Sequence, residues 1–375
     1  MDLTGFDNIK DSLPNHTRRD FLKFCSAITA TLALPTNMTA KVAQSITNPD
    51  RLPVVWISGA ECTGCTMSLF RTDHQSIESL IFDTISLEYH NALQNSSGKE
   101  AKGAIYKTIE KYEGKFLLVI EGAIPLKDGG VSCRSGGHNF VHLVEELGEK
   151  AGGIIAIGSC AVWGGFLKVE PNITGCVGVR DVLKTQQIVN IPGCPPNPYN
   201  LLSTIIHYIT FKKFPKLDDK HRPLFIFDRL IHDHCERRGH FDNGRFAKEF
   251  GDEAHRLGHC LYHLGCKGPV THANCPTLNF GDAGSGCWPV AVGHPCFGCT
   301  EEGVGFEVEQ FEVCDIKHAT PPAYHPPIKP DHKKPIGVGA AAFMAGVAGA
   351  ALGAGAVFVS SLKSKSVEDD ENEKA

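Results

Sequence analysis

At 375 residues the chain is long enough for two domains of ordinary size, each with its own core. Hydrophobic residues at 42% and charged residues at 21% exclude a mostly disordered chain, and a net charge of −5 argues against a nucleic-acid binder that works by phosphate neutralisation. Fifteen cysteines in a chain with 39 Gly and 22 Pro imply disulfides or metal, and their spacings must decide between the two.

The N-terminal stretch Thr17-Arg18-Arg19-Asp20-Phe21-Leu22-Lys23, followed by the apolar run Phe24 to Leu34, has the form of a twin-arginine export signal. An ordinary basic helix is the alternative. Cleavage is expected near Ala40, so residues 1–40, Cys25 included, are set apart from the fold as a leader.

Pro53-Val54-Val55-Trp56-Ile57 is a continuous apolar run, the pattern of a strand buried on both faces. It ends in Ser58-Gly59-Ala60-Glu61-Cys62-Thr63-Gly64-Cys65, and a helix is expected from Thr66. Similar strands are expected at Phe116–Ile120, at Gly153–Ile157 ending in Gly158-Ser159-Cys160, and at Gln187–Ile191 ending in Pro192-Gly193-Cys194. Helical stretches lie between and after them, at Phe140–Lys150 and Tyr199–Phe211. Alternating strands and helices predict an α/β domain over residues 50–215, built on a doubly wound parallel sheet. Ligands of such sheets bind off the carboxyl ends of the strands. Three of the four strands deliver Cys62, Cys65, Cys160 and Cys194 to that edge, and four converging thiolates suit zinc or an iron–sulfur cluster. Glu61, beside the first of them, has the chemistry of a general acid, but a charge at a helix N-terminus or a contact to a partner explains it equally well.

From residue 216 to 325 the alternation fades, and Cys, His and Gly become dense. Such a segment lacks the apolar content for a large core, so an inorganic group is expected to hold it together. His232-Asp233-His234-Cys235 is followed by Cys260, Cys266, Cys275 and Cys296-Phe297-Gly298-Cys299, with Phe280 and Trp288 placed to keep water away. There is no nucleophile–base pair, and the Gly pairs at 152–153 and 164–165 lack the spacing of a dinucleotide site. Further on, residues 336–362 carry no charge for 27 positions, long enough for a transmembrane helix, with Gly349 and Gly353 forming a small-residue face; an Ala/Gly linker is the alternative. Residues 363–375 would then form a cytoplasmic tail.

These motifs resemble the small subunit of membrane-bound, periplasmic nickel–iron uptake hydrogenases of the hydrogenase-2 type. The segments Glu61-Cys62-Thr63-Gly64-Cys65, Ile191-Pro192-Gly193-Cys194-Pro195-Pro196-Asn197-Pro198 and Gly293-His294-Pro295-Cys296-Phe297-Gly298-Cys299 carry the likeness. The resemblance implies a flavodoxin-like first domain and a row of three clusters. Cys62, Cys65, Cys160 and Cys194 would ligate a proximal [4Fe–4S] cluster. His232, Cys235, Cys260 and Cys266 would ligate a distal [4Fe–4S] cluster, with His234 the competitor for His232. Cys275, Cys296 and Cys299 would hold a medial [3Fe–4S] cluster.

The resemblance further implies a nickel–iron centre in a separate large subunit and export through the twin-arginine translocon. The chain would be anchored at the periplasmic face of the bacterial inner membrane. Electrons would leave through a membrane cytochrome b, or a ferredoxin-like protein with an integral membrane subunit, to the quinone pool, with no nucleic acid involved. Oxygen-tolerant members carry extra cysteines where this chain has Gly64 and Gly165, so an oxygen-inhibited enzyme is expected. Cys287 departs from the pattern as a small buried residue or a fourth medial ligand, and Cys133, Cys176 and Cys314 are expected to be packed free thiols.

Overall fold

The computed structural model describes residues 18–72, 84–184, 187–280 and 287–316, together with Leu80. Two helices, α1 (Arg18–Thr31) and α2 (Thr39–Ile46), come first. Strand β1 (Leu52–Ser58) runs into the short helix α3 (Gly64–Ser68), and β2 (Ile85–His90) is followed by α4 (Gly98–Tyr112). Then come β3 (Leu117–Glu121), α5 (Phe140–Lys150), β4 (Gly153–Ile157), α6 (Gly158–Trp163), β5 (Ile188–Ile191) and α7 (Pro198–Phe211).

All five strands pair in parallel in the order β2-β1-β3-β4-β5. This is the flavodoxin-like order, whose switch point lies between β1 and β3. Side chains alternate across the strands. Val55, Ile57, Leu118, Ile120 and Ile154 face α4 and α5, while Val54, Trp56, Leu117, Val119 and Ile155 face α7. Both sets are buried, which is why these strands read as unbroken apolar runs.

The four expected strands are present to within a residue or two. The edge strand β2, with the sequence Ile-Ser-Leu-Glu-Tyr-His, was not expected, because its partly exposed middle lacks an apolar run. Helix α3 starts at Gly64 rather than Thr66 and lasts five residues.

The described part of the expected leader packs against the first domain in this structure. Phe24, Cys25, Ile28 and Leu32 share one face of α1 or its end, and they pack with Val42 and Ile46 of α2 against Ile206 of α7. An apolar stripe at helical spacing buries itself wherever a complementary face is offered. Burial lifts the Cys25 thiol to about 12.

The second half contains only short helices, among them α8 (Ile231–His234), around a smaller core of Phe227, Ile231, Leu261, Trp288 and Val290. Ionic contacts supplement it: Glu301 meets Lys220 at 2.6 Å and the buried Arg222 at 3.1 Å. All described residues belong to one compact unit. The expected anchor at 336–362 lies outside the described residues, among which no helix is long and apolar enough to cross a membrane.

Candidate metal centres

The first group of cysteines gathers where β1, β4 and β5 end, beside the switch point. Cys62 precedes α3, Cys65 lies within it, Cys160 lies in α6, and Cys194 follows β5 by three residues. Burial, then the negative charges of Glu121, Cys160, Cys194 and Cys62, push the Cys65 thiol well up. Burial, then Cys194 and Cys62, lift Cys160 to about 12. Thiols whose ionisation is opposed in this way, Cys65 and Cys160, become thiolates only around a cation, so the donor set fits a metal cluster.

Backbone geometry brings the loops this close. Gly158 holds φ +83°, and a Cβ there would strike the Cys65 sulfur; Gly165 holds φ +55°, and its Cβ would lie 2.7 Å from the Cys160 sulfur. Glycine is required at both positions by conformation and by space.

Sequence reasoning missed Glu121, a carboxylate at the end of the apolar strand β3 that is 1% exposed. Its Oε1 accepts the amides of Cys65 at 3.1 Å and Thr66 at 3.2 Å, and its Oε2 accepts the Trp56 Nε1–H at 3.0 Å. The signal was a charged residue closing a strand of otherwise buried apolar side chains, at the switch point. Glu61 accepts from the Thr63 hydroxyl through Oε1, while its buried Oε2 has no partner. Burial, then Glu121, raises its carboxyl above the usual range.

The second group surrounds a small cavity lined by His232, Cys235, Cys260 and Cys266. His232 is buried, and its Nε2 meets no hydrogen-bond partner. Its ring packs edge-to-face with Phe241, the ring centroids 4.4 Å apart. Burial, then the Arg238 charge, lowers its pKa to about 4, leaving a neutral imidazole with a lone pair to give. A buried imidazole nitrogen without a partner costs free energy unless something coordinates it, so the residues fit a metal here too. His234, the competitor, is exposed and contacts Arg229. Cys314, one of the expected packed thiols, is buried with its Sγ 3.6 Å from the Cys266 carbonyl.

The third group lines a cavity of about 640 Å³ that also touches Cys194, Trp288 and Phe280. Burial lifts Cys275 to about 11 and, with Cys275 adding its charge, lifts Cys299 to about 12. Burial, then Cys266, Cys299 and Cys275, push Cys296 up as well. Cys287 borders the same cavity.

The three groups form a row. Cys194 borders the cavity of the third group, and the Cys296 amide donates to the Cys266 sulfur at 3.3 Å. The third group therefore lies between the first and the second. Among the described residues, no group of three or more His, Cys, Asp or Glu side chains is arranged to hold a single metal ion.

Residues 62–208 match the protein family described as NADH ubiquinone oxidoreductase, 20 Kd subunit, and residues 227–312 match the C-terminal family of the NiFe/NiFeSe hydrogenase small subunit. The chain is 49% identical over 353 residues to the hydrogenase-2 small chain of Escherichia coli (strain K12), covering 94% of this chain and 95% of that one. It is 42% identical over 287 residues to periplasmic [NiFe] hydrogenase small subunit 1 of Nitratidesulfovibrio vulgaris Hildenborough, covering 76% and 89%. Among solved structures it resembles the H2-activated [NiFeSe]-hydrogenase of Dm. baculatum, with a TM-score of 0.64, 33% identity, and coverage of 70% of this chain and 99% of that chain.

Proposed function

The chain belongs to the family of nickel–iron hydrogenase small subunits, and we propose that its three groups of ligands hold the electron relay of such an enzyme. It is the electron-transfer subunit, and hydrogen is split in a large subunit that this chain does not encode. Cys62, Cys65, Cys160 and Cys194 would hold a proximal [4Fe–4S] cluster. Cys275, Cys296 and Cys299 would hold a medial [3Fe–4S] cluster, and His232, Cys235, Cys260 and Cys266 a distal [4Fe–4S] cluster. Once bound, the clusters would accept and pass on single electrons.

The observation that carries this reading is the row itself, in which Cys194 of the first group borders the cavity of the third and Cys296 of the third donates its amide to Cys266 of the second. The chain's residues set the conditions. His232 contributes no charge where three thiolates do, which favours the reduced state of the distal centre. Glu121 pins the Cys65 loop. Met67, Phe70 and Phe166 stand exposed next to the proximal ligands, an apolar rim suited to the large subunit.

The leader at 1–40 and the uncharged run at 336–362 support export by the twin-arginine pathway and attachment at the periplasmic face of the inner membrane. From there electrons would pass to a cytochrome b or an integral membrane subunit and on to quinone. Glycine at 64 and 165 supports an enzyme inhibited by oxygen; hydrogen oxidation that continued undiminished in air would contradict it.

The test is metal analysis of the detergent-solubilised complex purified through a tag on this chain. About 11 iron atoms per chain with co-purifying nickel support the reading, about 12 would make Cys287 a ligand, and zinc or no metal would overturn the reading.

A further inference from the structure

Ser159 lies between the first and third groups of ligands. It follows β4 in the turn Gly158-Ser159-Cys160 and is 1% exposed. Its hydroxyl oxygen accepts the Gly193 amide at 3.0 Å and donates to the Cys299 carbonyl at 2.5 Å. The direction of each bond is fixed by chemistry, since an amide can only donate and a carbonyl can only accept. Its own amide donates to the Gly193 carbonyl at 3.0 Å. One residue thereby ties together the loop of Cys160, the loop of Cys194 and the backbone of Cys299.

What depends on this clamp is the distance between the Cys194 loop and Cys299, since Cys194 borders the same cavity as Cys275, Cys296 and Cys299. The Cys194 amide is covalently attached to Gly193 and the Cys299 sulfur to the Cys299 backbone, the two groups that Ser159 holds. Amide donors to cluster sulfurs stabilise the reduced state, because reduction adds negative charge to the sulfurs.

We propose that Ser159 is a positioning residue for the relay, holding the proximal ligand loops against Cys299 and so setting the reduction potential of the medial centre. The step it serves moves one electron from the reduced proximal centre to the oxidised medial centre, with no bond made or broken and no proton transferred. This proposal rests on the reading of the first and third groups as cluster sites.

Removing the hydroxyl leaves a buried amide and a buried carbonyl without partners, so the loops separate and the Cys194 amide moves away from the Cys299 sulfur. The measurement is the medial midpoint potential, from an EPR redox titration of the purified large–small complex. Ser159→Ala should disfavour medial reduction about fivefold, the weight of one hydrogen bond, which lowers the midpoint by about 40 mV. Ser159→Thr keeps the hydroxyl and should restore the wild-type value. The control is Ser203→Ala, which removes a fully buried hydroxyl on α7 that has no partner, and it should shift nothing.

The same complexes also give hydrogen-to-dye rates divided by hydrogen isotope exchange, a ratio that cancels any loss of assembled enzyme. That ratio should fall in Ser159→Ala alone. A wild-type midpoint in Ser159→Ala, or an equal shift in Ser203→Ala, would overturn the proposal. Absence of any medial signal in the wild-type complex would instead overturn the cluster reading beneath it.

Discussion

The carboxylate of Glu121, at the end of β3, accepts the backbone amide of Cys65 at 3.1 Å, so the strand next to the switch point fixes the first ligand loop directly. The same carboxylate accepts from Thr66 and Trp56, both of them buried. Glu121→Ala leaves the Cys65 and Thr66 amides unpaired. It should cost the complex about 3 kcal/mol, since hydrogen bonds to charged groups are worth about 1.5–3 kcal/mol. Glu121→Gln keeps the shape but turns a donor toward the Trp56 N–H, and should cost about 1–2 kcal/mol. Chemical unfolding, read together with iron content, checks both values.

His232 and His234 are two residues apart and differ in everything that matters for ligation. His232 is buried with an unpartnered Nε2, whereas His234 is exposed. His234→Ala should leave iron content and EPR spectra unchanged. His232→Ala should lower iron content, alter the distal signal, and slow hydrogen-to-dye electron transfer by about tenfold or more. Equal effects of the two substitutions would contradict the assignment.

Gly165 has no room for a side chain. Gly165→Ala adds the strain of a left-handed backbone, about 1–2 kcal/mol, and pushes a methyl group against the Cys160 sulfur. Iron should fall by about one proximal cluster while the medial signal survives. Iron content equal to wild type would show that the loop relaxes without displacing the ligand.

Glu301 gives the second half of the molecule a pH dependence. Burial opposes its ionisation, but hydrogen bonds from His272 and Lys220 and the charge of Arg222 outweigh that and hold the carboxyl near 2, against an ordinary 4.5. Because the folded value is the lower one, this stabilisation is full above about pH 5 and is lost as the pH falls toward 2. The shift corresponds to about 3 kcal/mol. Wild type should exceed Glu301→Gln by about that amount in unfolding at pH 7, and the gap should narrow below pH 4.5. A gap that does not change with pH would contradict this origin.

The strands β1, β3, β4 and β5 were legible because each is buried on both faces, and their ends placed Cys62, Cys65, Cys160 and Cys194 together. The edge strand β2 was not, since Ser86 and Glu88 interrupt its apolar character. Helix α1 reads as a leader from its paired arginines. Its packing on Ile206 depends on a face of α7 that no local pattern announces. Spacing alone left His232 and His234 in competition, and burial separates them. Glu121 and Ser159 were missed for one reason: each acts through backbone groups far away in sequence, and that leaves no motif. Ser159 reaches a carbonyl 140 residues away.

The relay of three centres in a row is open to direct test by EPR-monitored redox titration of the purified large–small complex. A relay of this kind gives three separate one-electron transitions from this chain, with a [3Fe–4S] signal in the oxidised state that disappears on reduction before the proximal centre is fully reduced. Fewer than three transitions, or no [3Fe–4S] signal, would contradict it.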